Sequence, residues 1–495
     1  MLPLSAKSEL CAHTETYSRR QLLKTTIAGL AVLTPVGNVL GANDDIRVAV
    51  IGLGNKGKGH VKQFRNIPGV RIVGLCDVDP KRLSDHGKDF KGKGVFFTTD
   101  ARNIIDRKDI DAVVIATCDH WHALLAVWAC QSGKDVYVEK PVSHNILEGR
   151  KMIQAAKKYG RIMQAGTQYR SDEGLAQAVE YVQSGKLGKI LRAHVPWYEY
   201  RPGIGRVEAY TPDWLDYDLY CGPGELKPLR RKKLHYDWHW LWNTGTGDLG
   251  NSAIHAFDFC RWMMGYNSLP PRAICVGGRF GVDDVAETPN TQLTLLDYDD
   301  APIVIEDRNL GNKKGSRNLD HVLGVREGVI VYCEGGYFAG LRAGGWVYDN
   351  DGKKIKQFAG GGGGNHTANF IEAVRRRDAS ILKAPIEEGH ISSACCHLGN
   401  ISYRLGAPAT PDRIKTTIKN SNLAGRIFDN IAEHLKANEV EFRQSPLTLG
   451  PWLTIDVSSE KIIKATGPKE SITTAEANQL ARGSYRPPFT LPETV

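Results

Sequence analysis

"VAVIGLGNKG", Val48–Gly57, joins a run of aliphatic residues to a glycine-rich turn, and its reading decides the fold. Val48, Ala49, Val50 and Ile51 are apolar without alternation, which predicts a strand covered on both faces. Gly52, Gly54 and Gly57 follow at G-x-G-x-x-G spacing. The first glycine permits a tight turn, the second lets a pyrophosphate approach the backbone, and the third lets the next helix pack on the strand. That helix begins at Asn55 and Lys56, whose end of the helix dipole would face the phosphates. Asp77 closes the next apolar run, "VRIVGLCDVD". A carboxylate there accepts hydrogen bonds from a ribose and repels a 2′-phosphate, which predicts NAD over NADP. Lys81 and Arg82 beside it pull the other way.

Outward from this point, short apolar strands alternate with helices. "GVFFTTD", "DAVVIAT", "DVYVEKP" and "RIMQAGT" read as further strands, with apolar helical stripes over Leu124–Gln131 and Ile146–Tyr159. Such alternation predicts a parallel, doubly wound α/β sheet over residues 43–166, a Rossmann dinucleotide-binding domain. After Thr167 the pattern changes. A helix over Glu173–Gln183 leads into longer strands, "KILRAHVPWYEY", "RAICVGGRFG", "TQLTLLDYD", "APIVIEDRNL" and "GVIVYCEGG". Few helices separate them, which predicts an α+β domain over 167–406 with a large, mostly antiparallel sheet and one exposed face. Gly360–Gly364 marks a mobile loop or a tight crossing, and 407–495 reads as an extension wrapping a domain or a partner subunit.

The 495 residues, 41% hydrophobic with 52 glycines, suit a two-domain globular enzyme. A net charge of +9 is modest for this length. The basic run "RRKKLH", Arg230–His235, lies in no nucleic-acid-binding pattern and reads as a solvated loop or a contact to an anionic sugar. The ten cysteines form no C-x-x-C pair and several lie in apolar runs, so they read as small buried hydrophobes of a chain folded under reducing conditions. His120 with His122, and His235 with His239, lack neighbouring carboxylates in a ligand pattern, so no metal is expected. Residues 1–42 carry a twin arginine, Arg19–Arg20, a short apolar stretch and then Gly41 and Ala42, the pattern of a Tat signal peptide. The apolar segment is too short to span a membrane, so export to the periplasm without stable insertion is expected.

The chemistry concentrates in "VYVEKP", Val136–Pro141. It puts Glu139 and Lys140 just past a strand's C-terminal end, where open α/β sheets bind ligands. A lysine beside a cationic nicotinamide has its ammonium form disfavoured and becomes a usable proton partner. With "CDVDPKR", "ATCDHWHALLAVWACQSGKDVYVEKP", "AGTQYRS" and "WNTGTGDLGNSAIHAFDFCRW", the chain resembles the Gfo/Idh/MocA oxidoreductases from about Ile46 to Gly406.

The resemblance implies that Lys140 is catalytic. Where the family carries an Asp four residues before a His, this chain has Asn251 before His255, which would leave His255 the sole base and Asn251 an orienting or substrate-gripping group. Helical spacing puts both on one face, with Asp258 a turn beyond. Thr117 and His122 are expected against the nicotinamide half of the cofactor, and Gln168 and Arg170 point to the same cleft. Trp240, in "WHWLWNTG", is a candidate platform for a sugar's C–H face. The expected activity is hydride transfer between a tightly held nicotinamide cofactor and a sugar, polyol or glycoside. The alternative is a redox-neutral glycoside hydrolase, a branch that typically lacks the EKP lysine. Family members pair through their sheets, so a homo-oligomer is expected.

Overall fold

The computed structural model describes residues 45–469 and 471–495. The twin-arginine segment lies outside the described residues. Six parallel strands, β1 (Ile46–Ile51), β2 (Val70–Cys76), β3 (Phe96–Thr98), β4 (Ala112–Ile115), β5 (Asp135–Val138) and β6 (Met163–Ala165), form one sheet. Their order is β3-β2-β1-β4-β5-β6, so the chain reverses direction across the sheet between β1 and β4. A crevice opens there at the strands' C-terminal ends. The apolar run of β1 is buried because both its faces are covered. Val48 and Val50 meet Phe64, Tyr137 and Phe370 on one side, while Ala49 and Ile51 meet Leu124, Leu125 and Met152 on the other. Phe370 belongs to the helix His366–Arg376, so the later half of the chain supplies part of this domain's core.

The second sheet has twelve strands and is mixed. Its central strand, Ile190–Tyr198, runs parallel to Ile303–Arg308 and antiparallel to Val329–Cys333. Period-two alternation sends Ala193, Val195, Ile303, Ile305 and Val331 inward against Val179, Val182, Phe257 and Phe259 of the helices Glu173–Gln183 and Ile254–Met264. Ile274, Val276, Leu293, Leu295 and Val304 point outward, yet they are buried too. The helices Pro411–Ile418 and Asn422–Ala437 cover them with Ile414, Ile427, Phe428 and Ile431. The expectation of an exposed outer face is therefore corrected over this region: a segment read as an extension is a layer of the domain. The same segment adds the edge strands Ala407–Ala409 and Leu447–Leu449. Its last residues, Phe489, Leu491 and Val495, close on the first domain.

Two glycine-bearing strands, Gly336–Leu341 and Gly344–Tyr348, and the strand Lys354–Ala359 complete the far edge. The glycine run that follows is a tight crossing. The N–H groups of Gly361 and Gly362 both donate to Asp172 Oδ2 at 2.6 Å, and the other oxygen of Asp172 caps the helix Glu173–Gln183 through Leu175 N–H.

Candidate active site

Gly52 turns the chain at φ +88°, and a Cβ there would lie 2.5 Å from the Ala116 carbonyl. Gly57 lies so close under the turn that a Cβ would meet Gly52 O at 1.8 Å. Both positions therefore require glycine. The helix Asn55–Arg65 starts with no side-chain cap, leaving its first N–H groups to the crevice, an anion site by geometry and dipole. Asp77 accepts from Leu53 N–H at 2.6 Å and from Asp79 N–H at 2.9 Å, and burial raises its carboxyl above the usual range. Arg82 reaches over Gly54, with Nη1 3.2 Å from the position of a Cβ there.

These groups line one end of a cavity of about 460 Å³ that also holds Thr117, Lys140, Asn251 and His255. The uncapped helix end, the glycine turn and the aimed carboxylate fit a dinucleotide, with phosphates on the Asn55–Lys56 end and a ribose at Asp77.

Glu139 is buried and accepts from His60 Nε2 at 2.7 Å, with Lys56 Nζ at 3.4 Å. Burial alone would raise its carboxyl, but Lys56, His60 and Lys140 together hold it below the usual range. Lys140 Nζ donates to the backbone carbonyl of Asn251. Burial lowers its pKa, the Lys56 charge adds to that, and Glu139, Asp119 and Asp248 oppose it. Asp119, missed in the sequence, lines the same cavity and accepts from Thr246 Oγ1 at 2.8 Å. Burial pushes its carboxyl up to about 7 against the pull of Thr246 and Lys140.

Asn251 lies in a π-helical turn, Leu249–Ala253, that runs into the helix Ile254–Met264. The turn is closed by Ile254 N–H donating to Leu249 C=O, a five-residue step that widens the helix. Asn251 thus offers its carbonyl to Lys140, while its Nδ2 reaches Ser252 Oγ at 3.2 Å and Asp248 Oδ1 at 3.4 Å. His255 faces the same cavity with Nδ1 buried and unpartnered. Burial, then Lys140 and Lys56, drive its pKa well below the usual value, so the ring is neutral.

Four expected substrate contacts lie elsewhere. Arg170 and Asp258 form a buried ion pair at 2.8 Å, and Asp258 also accepts from Ser392 at 2.7 Å. Three residues past His255 the helix has turned toward the protein interior, which decides the placement of Asp258. Trp240 is buried with the Arg279 guanidinium 4.7 Å from its ring, and Trp238 faces the cavity instead. Gln168 lies outside the cavity lining, its Oε1 buried without a partner. His122 lines the cavity with its ring nitrogens 2.7 Å from Pro141 O and 3.2 Å from Thr117 O; burial favours the neutral ring, whose single N–H donates to one of these carbonyls.

"RRKKLH" is solvated only in part: Arg230, Lys232 and Lys233 are exposed. Arg231 is buried and donates to Tyr220 OH at 2.9 Å, and His235 pairs with Asp79 at 2.8 Å. The cavity is also lined by Trp197, Glu199, Arg201 and Tyr236, none of which carries a motif, and by Trp238 of "WHWLWNTG".

Residues 46–167 match an oxidoreductase family by its NAD-binding Rossmann fold, and residues 181–436 match that family's C-terminal alpha/beta domain. A glycosyl hydrolase family 109 protein of Shewanella pealeana is 29% identical over 235 residues, 46% of this chain and 50% of that protein. A second such protein, from Shewanella sp. strain ANA-3, is 30% identical over 200 residues, 38% of this chain and 42% of its own length. The chain spans about half the length, or less, of these relatives. Among solved structures, levoglucosan dehydrogenase in complex with NADH and levoglucosan is similar at TM-score 0.55 and 18% identity, covering 72% of this chain and 97% of that one. The WlbA dehydrogenase of Bordetella pertussis, in complex with NADH and UDP-GlcNAcA, is similar at TM-score 0.55 and 19% identity, covering 73% and 97%.

Proposed function

The chain belongs to the Gfo/Idh/MocA oxidoreductase family, and from that premise we propose that it oxidises or reduces a neutral carbohydrate with an NAD that it holds tightly. The observation that carries this is one cavity joining the glycine turn to Lys140 and a neutral His255. NAD, when bound, supplies the acceptor or donor of a hydride. His255 accepts the proton of a substrate hydroxyl, and its neutral ring is ready to do so. Lys140, steered by the Asn251 carbonyl, donates a hydrogen bond to the same oxygen and stabilises the charge that develops there.

Neutrality of the substrate follows from the charges around Tyr236 and Trp238. Arg201 is matched by Glu199 at 2.8 Å and Asp248 at 3.3 Å, and Glu327 is shared by Arg342 and Arg326 at 2.7 Å each, so three cations meet three carboxylates. No surplus charge is left to select an ion, whereas the Trp238 ring suits sugar C–H groups.

The second reading, redox-neutral glycoside cleavage, is favoured by the relatives named as glycosyl hydrolases. One experiment separates the two. Purified protein carrying NAD is offered neutral sugars, polyols and aryl glycosides while nicotinamide absorbance and aglycone release are followed. Net absorbance change supports the dehydrogenase, and aglycone release without it supports the hydrolase. Protein that retains no nucleotide through gel filtration, by mass analysis, sinks the tight-cofactor proposal. Tight retention would matter to an exported protein, since no NAD pool waits outside the cytoplasm. The proposed Tat route is checked by cell fractionation with Arg19 and Arg20 replaced by lysine, which should keep the protein inside.

A further inference from the structure

In the cavity, beside Arg201, the backbone at Tyr236 adopts φ +68° and ψ −48°. Asp237 N–H closes a three-residue turn on the His235 carbonyl at 2.9 Å. This is the γ-turn of positive φ, rare and strained for a residue with a bulky side chain. Strain of this kind persists only where the surroundings over-determine it.

Here they do. Arg201 donates from Nη1 to the Tyr236 hydroxyl and lays its guanidinium over the ring, 5.3 Å from the centroid. The buried His239 ring stands edge-on at 4.9 Å, with Nδ1 2.5 Å from the Tyr236 carbonyl. Arg201 is itself held by Ser252 Oγ at 2.8 Å, Glu199 and Asp248. Tyr236 as a whole residue nevertheless stays 48% exposed and lines the cavity. Packing alone gives no reason to strain the backbone and then leave the residue half uncovered.

The direction of the hydrogen bond matters. The guanidinium has donors only, so the phenol oxygen is its acceptor, and the phenol's own hydrogen is not consumed in the pair. Asp248 joins this group to the reacting end of the cavity. One of its oxygens takes Arg201 Nη2 at 3.3 Å and Asn251 Nδ2 at 3.4 Å, and the Asn251 carbonyl holds Lys140. The other oxygen is fixed by Asn309 Nδ2 at 2.8 Å.

We propose that Tyr236 is a specificity-determining substrate contact, whose hydroxyl donates a hydrogen bond to a hydroxyl, ring or glycosidic oxygen of a neutral sugar. The strained turn holds that donor at a set distance from Lys140 through the shared Asp248 frame. Burial raises the phenol's pKa, so the donor keeps its proton at neutral pH. The assignment rests on the carbohydrate reading above.

The test uses full-length, NAD-loaded protein and a panel of methyl D-hexopyranosides, with binding followed by calorimetry and tryptophan fluorescence. Tyr236→Phe deletes only the hydroxyl. It should weaken binding of the best ligand about tenfold while leaving NAD content unchanged, with the midpoint lowered by the lost Arg201 bond. Tyr236→Gly accepts φ +68° without strain, so its midpoint should stand at or above that of Tyr236→Phe, with at least as much affinity lost. Wild-type affinity in Tyr236→Phe, together with a midpoint in Tyr236→Gly below that of Tyr236→Phe, would mean a packing role and overturn the assignment alone. A wild-type protein that binds none of the panel overturns the carbohydrate reading and this assignment with it.

Discussion

Lys140 and Asp119 share a buried corner in which every charge is expensive, and their behaviour with pH and mutation tests the site directly. Lys140→Ala removes the donor at the reacting oxygen. It should lower turnover about 10²–10⁴-fold while leaving NAD bound, as mass analysis of the purified variant would record. Asp119 makes a prediction about stability. Its carboxyl keeps its proton up to about pH 7 in the folded protein, whereas an unfolded aspartate ionises near 4. As pH rises through that interval the unfolded state alone ionises, so the folded state loses up to about 4 kcal/mol before levelling off. Asp119→Asn removes the loss, so thermal melts should place the variant above wild type at about pH 8, with the gap closing toward about pH 4. A gap that stays constant over the range would show that another group titrates. Lys140 was legible because "VYVEKP" ends a strand where ligands bind. Asp119 was not, because its carboxyl is raised by burial, which the fold imposes through segments as distant as Thr246, 127 residues away.

At the scale of elements, the π-helical turn before His255 is the device that joins two halves of the site. A regular helix through Leu249–Ala253 would hold the Asn251 carbonyl in its own ladder, whereas the widened turn presents it to Lys140. Gly250 makes this possible, since a Cβ there would fall 2.2 Å from Thr246 Oγ1. Gly250→Ala should therefore displace the turn and cut turnover by up to about 10²-fold with NAD content unchanged. Equal turnover in wild type and variant would remove the turn from the mechanism. Period-3.6 reasoning put Asn251 and His255 in one site, and both do face one cavity. The same reasoning carried Asp258 there, and helical rotation into the interior with Arg170 as partner took it away. Trp238 and Trp240 show the same limit. Two indoles two residues apart in an irregular turn have no periodicity to tell which is buried.

For the whole molecule, the last residues of the chain support the first domain. Phe489 packs edge-on to Trp121 at 5.3 Å, on the helix Asp119–Gln131 that carries Asp119 and His122. Phe489→Ala should lower stability by about 3–5 kcal/mol in urea unfolding and loosen the cofactor. Wild-type stability would make the tail an ornament. What the sequence by itself determined is local: glycine spacing, apolar runs without alternation and a strand-ending lysine identify a doubly wound domain, its NAD and a lysine that lines the cavity, because those patterns depend on backbone geometry within a few residues. What only the tertiary structure decided is everything made by distant partners. It decided the helices that cover the sheet's outer face, the burial of Arg231, the proton held on Asp119 and the strained Tyr236 leaning on Arg201. Burial and pairing set these, and they depend on which residues the fold brings together, a quantity no local pattern encodes.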